Sequence, residues 1–209
     1  ERDVVASRDP WLRALLFWCS VPPLVCALWA GSCVLGLGGW ETSWSGMLLG
    51  LHVVIALTSF PVAFVLVLIS KTRVAGVRMV VAACWSVVAC VLAVIGGNAL
   101  RMRGFELAAE RAQPLVRAIE RYESELGAPP GALSALVPGY LDALPDGLPE
   151  LSITTNKQEA LGRRWMLCAS CPSGPFNWDC FVYLPDQQYP ERAFGGRLQR
   201  VGTWAYVHE

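Results

Sequence analysis

The sequence predicts an α-helical membrane anchor of three transmembrane helices followed by an α+β domain. Three observations predict it. Ala14 to Trp40, Gly46 to Ser70 and Met79 to Leu100 contain no Lys, Arg, Asp or Glu, and each run is long enough to cross a bilayer core, which takes about 20 apolar residues. Beyond Leu100 charge returns, with 11 of the 17 basic and 13 of the 17 acidic residues of the 209-residue chain. Past Pro149 the apolar residues then change from helical spacing to the alternation of short strands.

The predicted helices cover about 11–39, 46–70 and 77–100, which makes residues 1–100 the anchor and 101–209 an extracytoplasmic domain. The first run is too long for the apolar core of a secretory signal, and its flank mixes Asp3 and Asp9 with Arg2, Arg8 and Arg13, so it reads as an uncleaved helix. Pro22-Pro23 leaves its start open: the span begins there, or residues 11 to 21 lead obliquely into it. Orientation follows the basic residues of short loops. Arg2, Arg8 and Arg13 precede helix one, and Lys71, Arg73 and Arg78 lie between helices two and three. The intervening "WETSWSG" has neither Lys nor Arg and carries Trp40 and Trp44. These place the N-terminus in the cytoplasm and the domain after helix three outside the cytoplasmic (inner) membrane, in a bacterial cell the periplasm, with Arg101 and Arg103 as the dissenting charges.

From Arg101 a long amphipathic helix is expected, with Leu107, Ala108, Ala112, Leu115, Ile119, Tyr122 and Leu126 as its apolar stripe. Pro114 either kinks this helix or opens a second one, and Gly127 with Pro129-Pro130 ends it. A short helix and anchored loop follow around Leu133 to Leu144. Strands are expected at 151–155, 163–169, 180–184, 197–201 and 203–207, separated at Gly174-Pro175 and Gly195-Gly196. They form a small antiparallel sheet against which the long helix packs.

The stretch "LVRAIERYESELGAPPGALSALVPGYLDALP" (115–145) resembles the globular-domain entry of type II secretion major pseudopilins and related type IV pilin-like proteins. The matching residues are Ala118, Ile119, Tyr122, Gly127 and Pro130, then Leu133, Leu136, Tyr140, Leu144 and Pro145. The resemblance implies a pilin-like domain in which Tyr122 packs between helix and sheet while Gly127 turns the chain off the helix. "RGFELAAE" (103–110) superficially matches a prepilin processing site, but Ala109 stands at the glutamate position and a charged segment follows. It reads as ordinary helix surface, so the chain is not expected to be a processed, polymerising pilin. The pseudopilin calcium site is not recognisable, and no metal is expected.

Candidate chemistry is sparse. "CASCPSGPFNWDC" (168–180) contains a C-x-x-C, which zinc, redox chemistry or a disulfide can use. Zinc lacks a fourth ligand, since the only His nearby is His208. A thioredoxin-like pair belongs at a helix N-terminus, and here it sits at a strand end. In an oxidising compartment a disulfide is the default, joining Cys180 with Cys168 or Cys171. Cys19, Cys26 and Cys33 recur every seven residues along one stripe, and with Cys84 and Cys90 they read as packing groups. His52 is the one ionisable side chain within an apolar run and is therefore a candidate functional residue, unless a backbone partner satisfies it. Glu120 and Glu123 share one helical side and read as solvated. Trp165, Trp178, Tyr183, Trp204 and Tyr206 either fill the sheet or form an exposed binding patch.

No nucleophile–base–acid set, phosphate loop or metalloprotease motif is present, and no cofactor is implied. The equal numbers of acidic and basic residues give no sign of a nucleic-acid partner. The expected function is that of a non-enzymatic integral membrane protein. It would present a pilin-like domain to a protein partner or to further copies of itself, with the lipid bilayer as its other partner. The competing expectation is a membrane sensor in which a small ligand bound to the outer domain shifts helix three.

Overall fold

The computed structural model describes residues 10–209; Arg2, Arg8 and the acidic residues around them lie outside the described part. Packing divides the chain into two units. Among the described residues, one contains residues 10–29 together with Trp44–Asn98; the other contains Ala30–Ser43 together with Ala99–Glu209.

Helix α1 runs Pro10–Gly31 and continues as a 3-10 turn over Ser32–Leu35. It spans Pro22 and Pro23 without a break. It stops short of the expected residue 39 because Gly36, Gly38 and Gly39 all take positive φ, a backbone region glycine enters without steric cost. Helix α2 covers Ser43–Leu68, and α3 covers Arg73–Arg111 as one 39-residue helix that passes Leu100 uninterrupted. Pro114 settles the open alternative by opening a separate helix, α4 (Gln113–Leu126). A proline in the first turn is tolerated because that N–H has no intrahelical acceptor anyway. Gly127 closes α4 in the left-handed conformation, φ 77°, its N–H donating to Glu123 O at 2.9 Å.

In the first unit all three helices are long and apolar enough to cross a membrane. The unit is packed inside out relative to a water-soluble bundle. Its buried positions are small: Cys26, Ser45, Ala56, Ala63, Ala82, Ala83, Ser86, Cys90 and Ala93. Leu28, Leu51, Ile55, Phe64, Leu92 and Ile95 are all more than half exposed. Small residues let helix backbones approach closely. At Gly76 the approach is tight enough that a Cβ would meet the Val67 nitrogen at 2.6 Å. The cysteine stripe serves the same packing: Cys26 Sγ donates to Ser45 O at 3.5 Å, while Cys84 is exposed.

In the second unit a six-stranded antiparallel sheet is ordered β1-β2-β3-β6-β5-β4. The strands are β1 (Ser152–Thr154), β2 (Met166–Ser170), β3 (Cys180–Tyr183), β4 (Arg192–Ala193), β5 (Gly196–Val201) and β6 (Trp204–His208). The five expected strands are all present, and the two-residue β4 is the addition. Strand alternation sorts the side chains by face. Leu167, Ala169, Phe181, Tyr183, Trp204 and Tyr206 join Phe105, Ala108, Ala112, Leu115 and Ile119 of the helices in the main core. Met166, Val182, Ala205 and Val207 face the other way and pack with Ala160, Leu184, Tyr189 and Phe194. The segment expected as a short helix is a 3-10 turn, Leu133–Leu136, whose Leu136 plugs the core.

"RGFELAAE" is not helix surface. Phe105, Ala108 and Ala109 are buried, and Gly104 lies so close to Cys33 that no side chain fits there. Leu126, expected on the apolar stripe, is exposed instead. Phe105 is the centre of the aromatic core, with ring centroids 5.3 Å from Trp40, 4.8 Å from Phe181 and 4.9 Å from Tyr206. Truncating a buried Phe removes transfer energy and leaves a cavity. Phe105→Ala is therefore expected to destabilise the second unit by about 3–5 kcal/mol, read by denaturant unfolding of the detergent-solubilised chain.

Candidate functional site

The most concentrated polar chemistry of the second unit is a buried hub around Arg101, one residue past the last apolar run. Arg101 is only 2 % exposed. Its Nε and Nη2 donate to Trp40 O at 3.1 and 2.7 Å, Nη2 also to Cys171 O, and Nη1 to the Tyr206 hydroxyl at 2.8 Å. The guanidinium carbon lies 5.1 Å from the ring centroids of both Phe105 and Tyr206, within cation–π range. The residues that meet there come from separate elements: Arg101 and Phe105 are one turn apart on α3, Trp40 is in the α1–α2 loop, and Tyr206 is on β6.

The network continues to Asp179, which is buried next to β3. Tyr206 Oη donates to Asp179 Oδ2 at 2.7 Å, as do Ser173 Oγ at 2.5 Å and Asn177 Nδ2 at 3.2 Å. The Glu209 N–H donates to Oδ1 at 3.0 Å. Burial alone pushes the Asp179 carboxyl up. The hydrogen bonds from Ser173, Glu209 N–H and Tyr206, with the Arg101 charge, outweigh it and hold the group below its ordinary value. Burial pushes the Tyr206 phenol up, so it stays a protonated donor. A second cation, Arg111, donates to Val34 O at 2.8 Å and Gly147 O at 3.2 Å, beside the close approach of Gly36 and Gly147, both at positive φ. These groups are engaged by the fold itself, which makes the hub a clasp holding loop 30–43 in the second unit.

The cysteines do not form the expected disulfide. All eight are free thiols. Strand register separates the alternatives. Cys168 faces Val182 and Cys180 faces Ser170, so Cys168 and Cys180 are diagonal neighbours on the same sheet face, packed against the smaller core. The Cys180 thiol donates to Cys168, which lowers the Cys168 thiol and raises that of Cys180. Cys171 is fully buried in the main core instead, where burial pushes its thiol up to about 12.

The aromatic patch is corrected as well. Trp165, Tyr183, Trp204 and Tyr206 are buried, with Trp204 stacked on Phe181 at 4.7 Å. Of the five only Trp178 is exposed, and Phe176 beside it is exposed too. The residues of the resemblance stand as follows. Ala118, Ile119 and Pro130 are buried, Pro145 is half-buried, and Tyr122 is half-buried with its ring 5.1 Å from Tyr140. Tyr140 Oη donates to Glu125 Oε2 at 2.9 Å, and Gly127 makes the turn. Glu123 is not simply solvated: it accepts from Trp165 Nε1 at 2.9 Å and pairs with Arg164 at 2.7 Å.

His52 has the backbone partner that would satisfy it. Its Nε2 donates to Cys19 O at 3.1 Å. That carbonyl lies four residues before Pro23, which has no N–H to offer it, so the imidazole replaces a missing helix bond. Within the first unit His52 also borders an apolar cavity of about 210 Å³ with Leu15, Ile55, Met79 and Ser86. In the second unit an open cleft of about 410 Å³ is lined by Arg103, Glu106, Glu110, Gln113 and Thr203. Arg103 there already pairs with Glu106, and Gln113 with Thr203. Sequence reasoning missed the hub. Its available signal was Asp179, the one charge in the apolar run "FNWDCFVY", together with an Arg placed directly after an apolar helix.

Comparison with family models, with curated proteins and with solved structures finds no match for this chain.

Removing one partner of a buried, hydrogen-bonded charge leaves the rest uncompensated. Arg101→Met is expected to cost about 3–5 kcal/mol in unfolding free energy. Arg101→Lys should recover little of it, because an ammonium cannot reproduce the planar fan of donors. A second expectation concerns pH. With its folded pKa below the ordinary 3.8, Asp179 contributes stability that is present above that value and lost as pH falls through the folded pKa. Asp179→Asn should therefore lower stability at neutral pH and flatten the acid limb of a melting-temperature profile below about pH 4.

Proposed function

We propose that this chain is a multi-pass protein of the cytoplasmic membrane. Its N-terminus is cytoplasmic, and it holds a pilin-like, non-enzymatic domain outside for contact with a protein partner or with further copies of itself. The observation that carries this reading is the composition of the second unit. It gathers Ala30–Ser43, around the α1–α2 loop, and Ala99–Glu209, from the end of the last apolar run onward, the two stretches that three alternating crossings bring to one side. The inside-out packing of the first unit supports the bilayer as its solvent, since lipid-facing positions take large apolar side chains. Lys71, Arg73 and Arg78, at the α2–α3 turn and the start of α3, and the absence of basic residues from Glu41 to Ser45 support the orientation.

Support for the pilin-like character comes from a long helix laid on one face of an antiparallel sheet, with Gly127 and Pro130 at the turn the resemblance requires. Phe105 lies deep in the core, which speaks against cleavage at that point. The non-enzymatic reading rests on the hub, where Arg101, Asp179 and Tyr206 are occupied in holding loop to sheet.

Two measurements test it. Ser134 and Lys71 are both exposed; in intact cells a membrane-impermeant maleimide should label Ser134→Cys and spare Lys71→Cys. The reverse pattern overturns the orientation. A photo-crosslinker at exposed Glu120 should give a discrete higher-mass adduct in membranes. A chain that stays monomeric there, and whose melting temperature rises with a small metabolite, is a sensor instead.

A further inference from the structure

The loop between β2 and β3 has an unusual division of labour. Its polar atoms turn inward. Asn177 Oδ1 accepts from the Gly174 N–H at 2.9 Å, Asn177 Nδ2 donates to Ser173 Oγ at 2.7 Å, and both Ser173 and Asn177 reach the buried Asp179 carboxylate. The side chains flanking Asn177 turn outward. Phe176 is 93 % exposed and Trp178 is 77 % exposed, although the Trp178 N–H is held by Glu209 Oε2 at 2.7 Å. Two large rings are thus held in the open by a braced turn.

The same loop is fastened to the chain just before α2. Thr42 N–H donates to Pro172 O at 2.9 Å, Thr42 Oγ1 to Ser173 O at 3.2 Å, and Ser43 Oγ to Gly174 O at 3.1 Å. Ser43 is the first residue of α2, and the second apolar run begins three residues on, at Gly46. Three hydrogen bonds therefore tie the loop to the start of α2.

We propose that residues 173–178 form a membrane-interface anchor in which Phe176 and Trp178 insert at headgroup level into the outer leaflet; this rests on the membrane reading above. Headgroup depth suits Trp, whose ring is apolar and whose N–H still reaches water or lipid esters. The occupant is a lipid surface taken without regard to headgroup charge, because residues 172–180 contain no Lys or Arg that would select an anionic one. Aromatic burial supplies the attraction, so no charge dependence is expected.

The test uses the full chain carrying 5-fluorotryptophan in phosphatidylcholine nanodiscs. The Trp178 resonance is assigned by its loss in Trp178→Phe. A nitroxide placed high on the lipid acyl chain should broaden that resonance several-fold more than those of Trp165 and Trp204, which lie buried in the same unit. An aqueous gadolinium chelate should affect it less in nanodiscs than the 77 % exposure implies. Phosphatidylglycerol in place of phosphatidylcholine should change neither result. A Trp178 signal open to the chelate and silent to the lipid label, while Trp18 and Trp85 of the apolar helices respond, overturns the anchor alone. Protection from both reagents also overturns it and assigns the rings to a protein partner or a second copy. Silence of Trp18 and Trp85 as well overturns the membrane reading beneath it.

Discussion

Arg101 occupies a place where a cation is costly. It follows an apolar run directly, and α3 carries it into the core, out of reach of water. Withdrawing such a charge costs several kcal/mol unless its donors find acceptors and a counter-charge is near. The acceptors are two main-chain carbonyls and a phenol, and the counter-charge is Asp179, one hydroxyl away. Because Trp40, Cys171, Tyr206, Asp179 and Glu209 are all recruited by this requirement, much of the second unit is arranged around satisfying a single guanidinium. The α1–α2 loop is joined to that requirement through its carbonyl at Trp40, one of the acceptors.

The two units solve packing by opposite means. The second follows the rule for water: rings and branched side chains converge on Phe105, and polar side chains stay inside only when bonded. Among the described residues of this unit the exception is the Trp204 indole N–H, buried without an acceptor. The first unit conceals alanine, serine and cysteine and displays leucine, valine and phenylalanine. Close backbone approach, as at Gly76, takes the place of side-chain interdigitation. His52 fits this scheme as a repair, since its ring supplies Cys19 O with the hydrogen that Pro23 cannot.

Much of this was legible in the sequence where it depended on period. The three apolar helices, the α4 terminus at Gly127 and five of the six strands follow from spacing and from glycine and proline. What escaped depended on contacts between distant segments. Nothing local distinguishes a buried Arg101 from an exposed Arg103, because the difference lies in carbonyls 61 and 70 residues away. Phe105 and Ala109 looked like helix surface because the charges at Glu106 and Glu110 mark the opposite side of the same turn. The choice of partner for Cys180 likewise depended on register: the pleat sets Cys168 beside it on one face, both as free thiols, while Cys171 packs into the other core. The binding-patch aromatics are conspicuous in composition, and only register shows that four of the five point inward.

The position of β6 governs the order in which the molecule can be built. It lies between β3 and β5 and pairs with both, so the sheet has a gap at its centre until residue 208 has been made. Before then the Arg101 guanidinium lacks Tyr206, the Asp179 carboxylate lacks the Glu209 amide, and the main core lacks Trp204. Contacts this remote along the chain form late because loop closure precedes their reward. Completion of the second unit therefore ends with one strand entering the middle of a sheet.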